Sequence, residues 1–231
     1  MTHSLVCDFE STGTQPLQSY IISGCMILLD NDRKEVDRMK FTMRPRYWDS
    51  KADEAVKIHG ITREQALGFP TPAIVLPAIY KFIKDIPEQA HFVCHANRSA
   101  GVFGCFDRQI LQSAFLDGFL AGDDVNHFII DEKLPVSMVI STHTIAKNAV
   151  KLDNYKLSTV CHYLGIPLNH HNAESDCEAA AEIYRRLYNG ETLQICQREI
   201  YGWGFDTQSE NQERVITRKP RRLKSLHDFA Y

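Results

Sequence analysis

HSLVCDFESTG, residues 3–13, has the alternation of a β-strand whose two faces differ. Because side chains alternate along a strand, Leu5 and Phe9 fall on one face and Asp8 and Glu10 on the other. Two adjacent carboxylates at the end of an apolar strand repel each other, and burying either without a partner is costly. Taken alone, the pair has two interpretations: a cation lies between the carboxylates, or the strand ends in a solvated Ser-Thr-Gly turn.

Length and composition indicate one α/β domain. The chain has 231 residues, 44% of them hydrophobic and 24% charged, which is typical of globular proteins. No segment approaches the roughly 18 to 20 consecutive apolar residues of a membrane helix. The opening MTHSLVCDFE lacks the basic and apolar regions of a secretory signal. We therefore expect a cytoplasmic protein, or a nuclear one in a eukaryote, with no membrane partner.

Seven cysteines are scattered along the chain without a CxxC pair. This spacing predicts reduced, mostly buried thiols rather than a disulfide framework or a structural zinc site. Histidines follow two of them, in Cys94-His95 and Cys161-His162. Neighbours on a strand point to opposite faces, so these pairs are poor zinc ligands.

The hydrophobic pattern predicts a meander of three antiparallel strands, followed by parallel strands and helices. Strands are expected at 3–13, 19–30, 35–45, 91–96 and 137–142. Helices are expected before Gly60, after a Thr62–Gln65 capping box, from Thr71-Pro72 with a kink or late start at Pro77, and over 105–116, 155–164 and 173–190; residues 117–135 are expected to be irregular. The domain is predicted to span 1–190, with a C-terminal extension over 191–231.

Two further aspartates interrupt apolar helix faces. Asp107 shares a face with Leu111, and Asp176 shares one with Ala180 and Ile183. Either aspartate alone is ordinarily a helix cap or a partner of the helix dipole. Four inward carboxylates, however, are hard to stabilise without divalent cations, and oxygen ligands favour Mg²⁺ or Mn²⁺. Two such ions about 3.5 to 4 Å apart are the usual means of hydrolysing a phosphodiester.

Such hydrolysis also needs a base for the attacking water. His171 precedes Asp176 by five positions, at the start of the same predicted helix. An imidazole with a pKa of about 6.5 accepts a proton near neutral pH. The other interpretation, for a histidine beside His170, is a plain surface residue.

These motifs resemble those of the DEDDh 3′-to-5′ exonucleases, a ribonuclease H-like family that includes the proofreading subunit of bacterial replicative DNA polymerase. The similarity rests on DFESTG, on Phe106-Asp107 and on His171-x4-Asp176, and also on VKIHGIT and YKLSTVCHYLGIPL. It covers roughly residues 4–189. It implies a five-stranded mixed sheet flanked by helices, and release of nucleoside 5′-monophosphates from single-stranded or frayed 3′ ends of DNA or RNA.

The resemblance also assigns roles to individual residues. It implies two Mg²⁺ or Mn²⁺ ions held by Asp8, Glu10 and Asp176, with Asp107 completing the site and His171 as the general base. Thr12 and Gly13 would hold the terminal nucleotide, His59 would lie near the end of the substrate strand, and Asn97 would contact substrate. Asn172 stands where a sister subtype has tyrosine, which favours the histidine subtype.

One departure from the family concerns the second motif. The family commonly has a compact H-N-A-x-F-D, whereas RSAGVFGC separates His95-Ala96-Asn97 from Phe106-Asp107 here. If the extra residues form a loop, Asp107 keeps its place; if they shift the helix register, Asp107 is displaced.

The C-terminal residues 214–231 carry six Lys or Arg against one Asp. They are interpreted as an arm that neutralises nucleic-acid phosphates, or as a solvated tail, with nuclear import or docking to a polymerase or other protein also open. Two rival functions are likewise open. One is a polymerase-associated or nucleic-acid-binding subunit with weak nuclease activity in DNA repair or proofreading, and the other is a phosphodiesterase for short oligonucleotides.

Overall fold

The computed structural model describes residues 2–96, 105–125 and 129–189. Asn97 and the predicted extension over 191–231 therefore lie outside the described residues. The elements in the described part are β1 (Ser4–Ser11), β2 (Ile21–Leu29), β3 (Glu35–Thr42), α1 (Ser50–His59), α2 (Arg63–Leu67), α3 (Pro72–Lys84), β4 (His91–Cys94), α4 (Phe106–Leu120), α5 (Ile129–Lys133), β5 (Val139–Ser141), α6 (Thr142–Ala149), α7 (Leu157–Leu164) and α8 (Ala173–Leu187).

The strands form one five-stranded sheet in the order β3-β2-β1-β4-β5. The β1–β2 and β2–β3 pairs are antiparallel, and β4 lies parallel to both β1 and β5. This confirms the predicted fold class of a mixed sheet flanked by helices. Because β1 is central, the carboxylates that follow its apolar residues lie in the middle of the molecule.

The two faces of β1 pack against different helices, as the alternation predicts. Leu5 and Phe9 belong to a core that includes residues of α3, α4 and α5. Val6, on the opposite face, packs in a second core with residues of α6 and α8. The side of β1 that carries Asp8 and Glu10 is therefore the side that faces α8.

Several helix ends follow the predicted capping chemistry. α1 ends at Gly60, which has φ of 74°, a conformation that glycine adopts without strain. Thr62 and Gln65 form the predicted capping box of α2. α3 begins at Pro72 and continues through Pro77, so Pro77 does not delay its start.

The prediction that residues 117–135 are irregular is wrong at both ends of the segment. α4 continues to Leu120, and α5 is a short helix held by burial of Ile129 and Ile130. α6, which follows β5 directly, was not predicted either. Its sequence THTIAKNA has few apolar residues, but Ser141 caps it and Ile145 is buried.

Among the described residues, no helix is long and apolar enough to cross a lipid bilayer.

Candidate active site

Three of the four predicted carboxylates meet at the C-terminal end of β1. Asp8 and Glu10 project side by side and are half-buried, and Asp176, in the first turn of α8, is only 4% exposed. One carboxylate oxygen from each lies within 4.8 Å of the other two. α8 is fixed there by Asn172, whose side chain accepts a hydrogen bond from the Ser175 amide at 3.0 Å.

The fourth carboxylate, Asp107, enters from the other side of the sheet. It lies in the first turn of α4, and it is close enough for its charge to raise the pKa values of both Asp8 and Glu10. Asp107 thus lies near the other three acids, and its place in the catalytic set stays a prediction.

Burial and mutual repulsion raise the pKa values of carboxyls in this cluster, as expected where no cation neutralises them. Burial raises the pKa of Asp8 well above its usual range, and the charges of Asp107, Asp176 and Glu10 raise it further. Burial, followed by the charges of Asp176 and Asp107, raises the pKa of Glu10 to about 7. Burial also raises the pKa of Asp107 to about 7, although hydrogen bonds with the backbone of Asp107 and Phe9 oppose this shift. No lysine or arginine of the described residues is ion-paired to any of these acids. The donors are all oxygens, which suits a hard divalent cation.

His171 and His170 have different relations to Asp176. His171 has φ of 66°, and its backbone N–H donates a hydrogen bond to Asp176 Oδ2 at 3.0 Å, while its side chain is exposed. His170 places Nδ1 3.2 Å from Asp176 Oδ2, and its ring stacks on that of His171 at 3.9 Å between centroids. Sequence reasoning missed the His170 contact; its only signal was a second histidine at the start of the helix.

His59, the last residue of α1, lies near the end of β1. Its Nδ1 accepts a hydrogen bond from the Ile61 amide at 3.0 Å, which fixes the ring at the end of α1. Burial lowers its pKa, a hydrogen bond with the Ser11 backbone opposes this, and the charge of His171 lowers it further. His59 is thus close to the end of β1, and it is close enough to His171 for the charge of His171 to lower its pKa.

The predicted nucleotide-binding residues form the turn after β1. Thr12 is buried; its Oγ1 accepts from the Tyr20 amide at 2.8 Å, and its own amide donates to the Tyr20 carbonyl at 2.9 Å. A Cβ added to Gly13 would lie 3.0 Å from Ser19 Oγ, so this turn is tightly packed. The nucleotide contacts of Thr12 and Gly13 stay predictions.

His95, beside Cys94, has a structural role. Its Nδ1 lies 2.9 Å from Thr142 Oγ1, and its Nε2 lies 2.9 Å from the Tyr155 carbonyl oxygen. Burial lowers its pKa to about 4. Both ring nitrogens are engaged with protein groups, which agrees with the expectation that Cys94-His95 is a poor zinc pair.

Comparison with known proteins shows similarity to exonuclease sequences and structures. Residues 5–104 match the family model described as Exonuclease. The chain is 27% identical over 184 residues to the DNA polymerase III PolC-type of Thermotoga maritima, an alignment that covers 79% of this chain and 12% of the polymerase.

Solved structures of E. coli exonuclease I share the fold. The complex with a dT13 oligonucleotide has a TM-score of 0.64 and 18% identity, covering 80% of this chain and 40% of exonuclease I. The complex with a dA16 oligonucleotide has a TM-score of 0.63 and 15% identity, covering 88% and 43%. The chain thus spans about an eighth of the polymerase and less than half of exonuclease I.

The chain thus shares its fold with exonuclease I and is similar in sequence to an exonuclease family model and to a PolC-type polymerase. The chain is similar to the DEDDh-type exonucleases in sequence as well as in fold, which confirms the resemblance seen in its motifs.

Proposed function

We propose that this protein is a metal-dependent 3′-to-5′ exonuclease that releases nucleoside 5′-monophosphates from single-stranded or frayed 3′ ends. The observation that carries the proposal is the meeting of the Asp8, Glu10 and Asp176 carboxylates within 4.8 Å, with Asp107 beside them. Such a cluster is unfavourable without cations, and no lysine or arginine of the described residues is ion-paired to it. The similarity to exonuclease sequences supports the reaction type.

The residues present fit two hard cations, Mg²⁺ or Mn²⁺. Asp8, Glu10 and Asp176 would hold them, with Asp107 completing the site. When bound, the ions supply an activated water and stabilise the leaving oxygen of the phosphodiester.

His171 is proposed as the base that accepts the proton of the attacking water. Burial and the neighbouring His170 lower the pKa of His171, while Asp176 opposes the shift. A lowered pKa keeps more of the imidazole neutral near pH 7, which is the form a general base requires. Its exposed ring at the start of α8 is free to turn toward a substrate phosphate.

The substrate is proposed to be a single strand, because the terminal nucleotide must be unpaired for its phosphodiester to reach the buried carboxylates. Thr12 and Gly13 would hold the last nucleotide and its 3′-OH. The exonuclease I complexes contain single-stranded oligo-dT and oligo-dA, so DNA is the first substrate to test.

The test follows a 5′-labelled single-stranded oligonucleotide, as DNA and as RNA, with Mg²⁺ or with EDTA. We expect a Mg²⁺-dependent ladder that shortens from the 3′ end and is abolished by Asp176→Asn. Glu174→Gln is the matched control, because Glu174 lies two residues away on the same helix and pairs with Lys40 at 3.0 Å instead of the site. A ladder that survives Asp176→Asn, or that needs no metal, would overturn the proposal.

A second candidate is a polymerase-associated subunit that binds nucleic acid with weak nuclease activity. The similarity to a PolC-type polymerase favours it. Binding of the oligonucleotide without any ladder would support this candidate. A rate that rises as the substrate is shortened would instead indicate a phosphodiesterase for short oligonucleotides.

A further inference from the structure

A pair of thiols lies beside Asp107. Cys94 is the last residue of β4, and Cys105 is the N-cap of α4; they are 0% and 4% exposed. The two sulfurs and one carboxylate oxygen of Asp107 all lie within 4.8 Å of one another. The exonuclease mechanism uses neither thiol.

We propose that Cys94, Cys105 and Asp107 form a second metal site, one for Zn²⁺ or another thiophilic divalent cation, whose occupancy inhibits hydrolysis by withdrawing Asp107 from the carboxylate site. The metal site itself is independent of the proposed exonuclease activity; its inhibitory consequence rests on that activity.

The donor set selects the metal. Two thiolates and one carboxylate are the soft and borderline ligands that Zn²⁺ takes, whereas Mg²⁺ binds oxygen ligands. With Zn–S bonds of about 2.3 Å and tetrahedral angles, two sulfurs on one zinc lie roughly 3.8 Å apart. The observed donor separations are compatible with that spacing after small side-chain movements. Three protein ligands leave a fourth position for water, unlike a closed structural zinc site.

The backbone positions of the two cysteines are fixed by the fold. β4 is paired on both sides, by β1 and β5, so Cys94 is held at the end of a central strand. Cys105 Sγ accepts a hydrogen bond from the Arg108 amide at 3.5 Å, and Arg108 Nε donates to the Leu134 carbonyl at 2.9 Å. Because the ligands are already placed, binding loses little conformational entropy.

Binding would also balance charge in a buried place. Each thiol releases its proton to the solvent on ligation, and the two thiolates offset the two positive charges of the ion. Buried neutral thiols are thus replaced by a neutral metal–dithiolate unit, to which Asp107 adds its carboxylate. The two thiols therefore release two protons per ion bound, and Asp107 releases one more where it is protonated, a number that can be measured in weakly buffered solution.

The probe is Co²⁺, added to the full-length protein with Mg²⁺ in excess and with a reductant that contains no thiol. Thiolate ligation gives Co²⁺ a charge-transfer absorption in the near ultraviolet, which carboxylate ligation alone does not give. We expect this absorption in the wild type, its loss on adding Zn²⁺, and its absence in Cys105→Ser. Cys105→Ser removes the thiolate but keeps the cap of α4, because serine is a preferred N-cap residue.

Cys161→Ser is the matched control, since Cys161 is also a buried free thiol but lies in α7, in a different core. It should retain the absorption. We expect Cys105→Ser to weaken Zn²⁺ binding by more than about 100-fold, because losing even an outer-shell partner of a zinc ligand costs 10- to 100-fold. Co²⁺ binding without charge-transfer absorption, or equal absorption in Cys105→Ser, would overturn the proposal.

The inhibitory consequence is read as the ratio of hydrolysis rates with and without micromolar Zn²⁺, each variant being compared with itself. Wild type and Cys161→Ser should be inhibited, and Cys105→Ser should be resistant. Equal inhibition of all three would place the inhibitory zinc at Asp8, Glu10 and Asp176 and overturn the regulatory part. The Co²⁺ absorption is measured without hydrolysis of any substrate. A protein without nuclease activity would therefore refute the proposed exonuclease function and leave the test of the metal site valid.

Discussion

His170 and His171 are adjacent and stacked, but they make different use of Asp176. The left-handed backbone of His171 turns its amide toward the Asp176 carboxylate and leaves its ring exposed, while the His170 ring contacts the same carboxylate. The histidine assigned as base by its spacing is thus the one whose ring makes no hydrogen bond to Asp176 and stacks on its neighbour. The contact of its neighbour depends on one backbone angle, which no spacing rule supplies.

The histidine pair gives a first prediction. His171→Ala should lower kcat by about 10² to 10⁴, the usual effect of losing a general base, while the affinity for the oligonucleotide stays close to that of the wild type. His170→Ala, the matched neighbour, should change mainly the Mg²⁺ concentration needed for half-maximal rate, because His170 contacts a metal-binding carboxylate. Single-turnover rates and binding titrations of both variants check this. A larger loss of kcat in His170→Ala would transfer the role of base to His170.

The raised pKa values of Glu10 and Asp107 give a second prediction. In the metal-free folded protein these groups stay protonated up to about pH 7, whereas in the unfolded chain they ionise near pH 4. Between these values the folded state binds more protons, so this contribution to the free energy of unfolding falls as pH rises. Mg²⁺ competes with those protons and should therefore stabilise the protein more at pH 8 than at pH 5.

Thermal unfolding at pH 5, 6, 7 and 8, in Mg²⁺ and in EDTA, measures this stabilisation. Buried histidines such as His95 contribute equally to the free energy of unfolding in both media, so the difference between the media cancels their contribution. Without this step the lowered pKa of His95 would act in the opposite direction. In Glu10→Gln the difference should depend less on pH. A stabilisation by Mg²⁺ that is constant over this range would contradict the raised pKa values.

At the scale of elements, β1 and β2 are joined by a close contact beside the site. Gly24 pairs with Phe9 in the register, and a Cβ at Gly24 would lie 2.5 Å from the Phe41 ring and 2.6 Å from the Phe9 ring. Phe9 stands between Asp8 and Glu10 in sequence. The two rings thus cover the glycine and fix the strand that carries both acids.

Gly24→Ala is therefore expected to destabilise the protein by about 1 to 3 kcal/mol, the usual cost of overpacking a close-packed interior. Urea unfolding followed by circular dichroism measures it. Gly68→Ala serves as control, because a Cβ there would meet only the Gln65 carbonyl at 3.2 Å and the Glu64 carbonyl at 3.8 Å, and its effect should be smaller. Equal midpoints for Gly24→Ala and the wild type would show that the rings move aside freely.

The elements that the sequence predicted correctly are those whose two sides have different surroundings. β1 alternates because it separates two cores, and α8 has an apolar stripe because one side of it packs on the sheet. α6 escaped prediction because its helix depends on a Ser141 cap and on tertiary burial of Ile145, and α5 because one turn of helix is too short for a period. The thiol pair of Cys94 and Cys105 escaped too, since the two are eleven positions apart and meet only when β4 and α4 pack.

At the scale of the whole molecule, the charge distribution gives a fourth prediction. Residues 214–231, with six Lys or Arg against one Asp, follow a part of the chain that is acidic overall. If this tail neutralises phosphates, its deletion should weaken oligonucleotide binding and flatten the dependence of log K on log salt, by about 0.7 for each single-strand phosphate that is no longer neutralised. Fluorescence anisotropy across a range of salt concentrations measures the slope.

A matched control keeps the length of the tail and replaces its six basic residues with glutamine. Charge alone should matter, so this variant should have the same flattened slope as the deletion. An unchanged slope in both variants would leave the solvated-tail interpretation and turn attention to docking of a protein partner.

The acids proposed to bind metal come from opposite ends of the described chain: Asp8 lies on its first strand and Asp176 on its last helix. During synthesis on the ribosome, a growing chain therefore holds part of its carboxylate set long before the rest exists. The growing chain cannot complete this carboxylate set until α8 has left the exit tunnel and packed against β1. If the chain has the proposed activity, a prematurely terminated chain that lacks α8 would have no Asp176 and would leave the cell's nucleic acid intact.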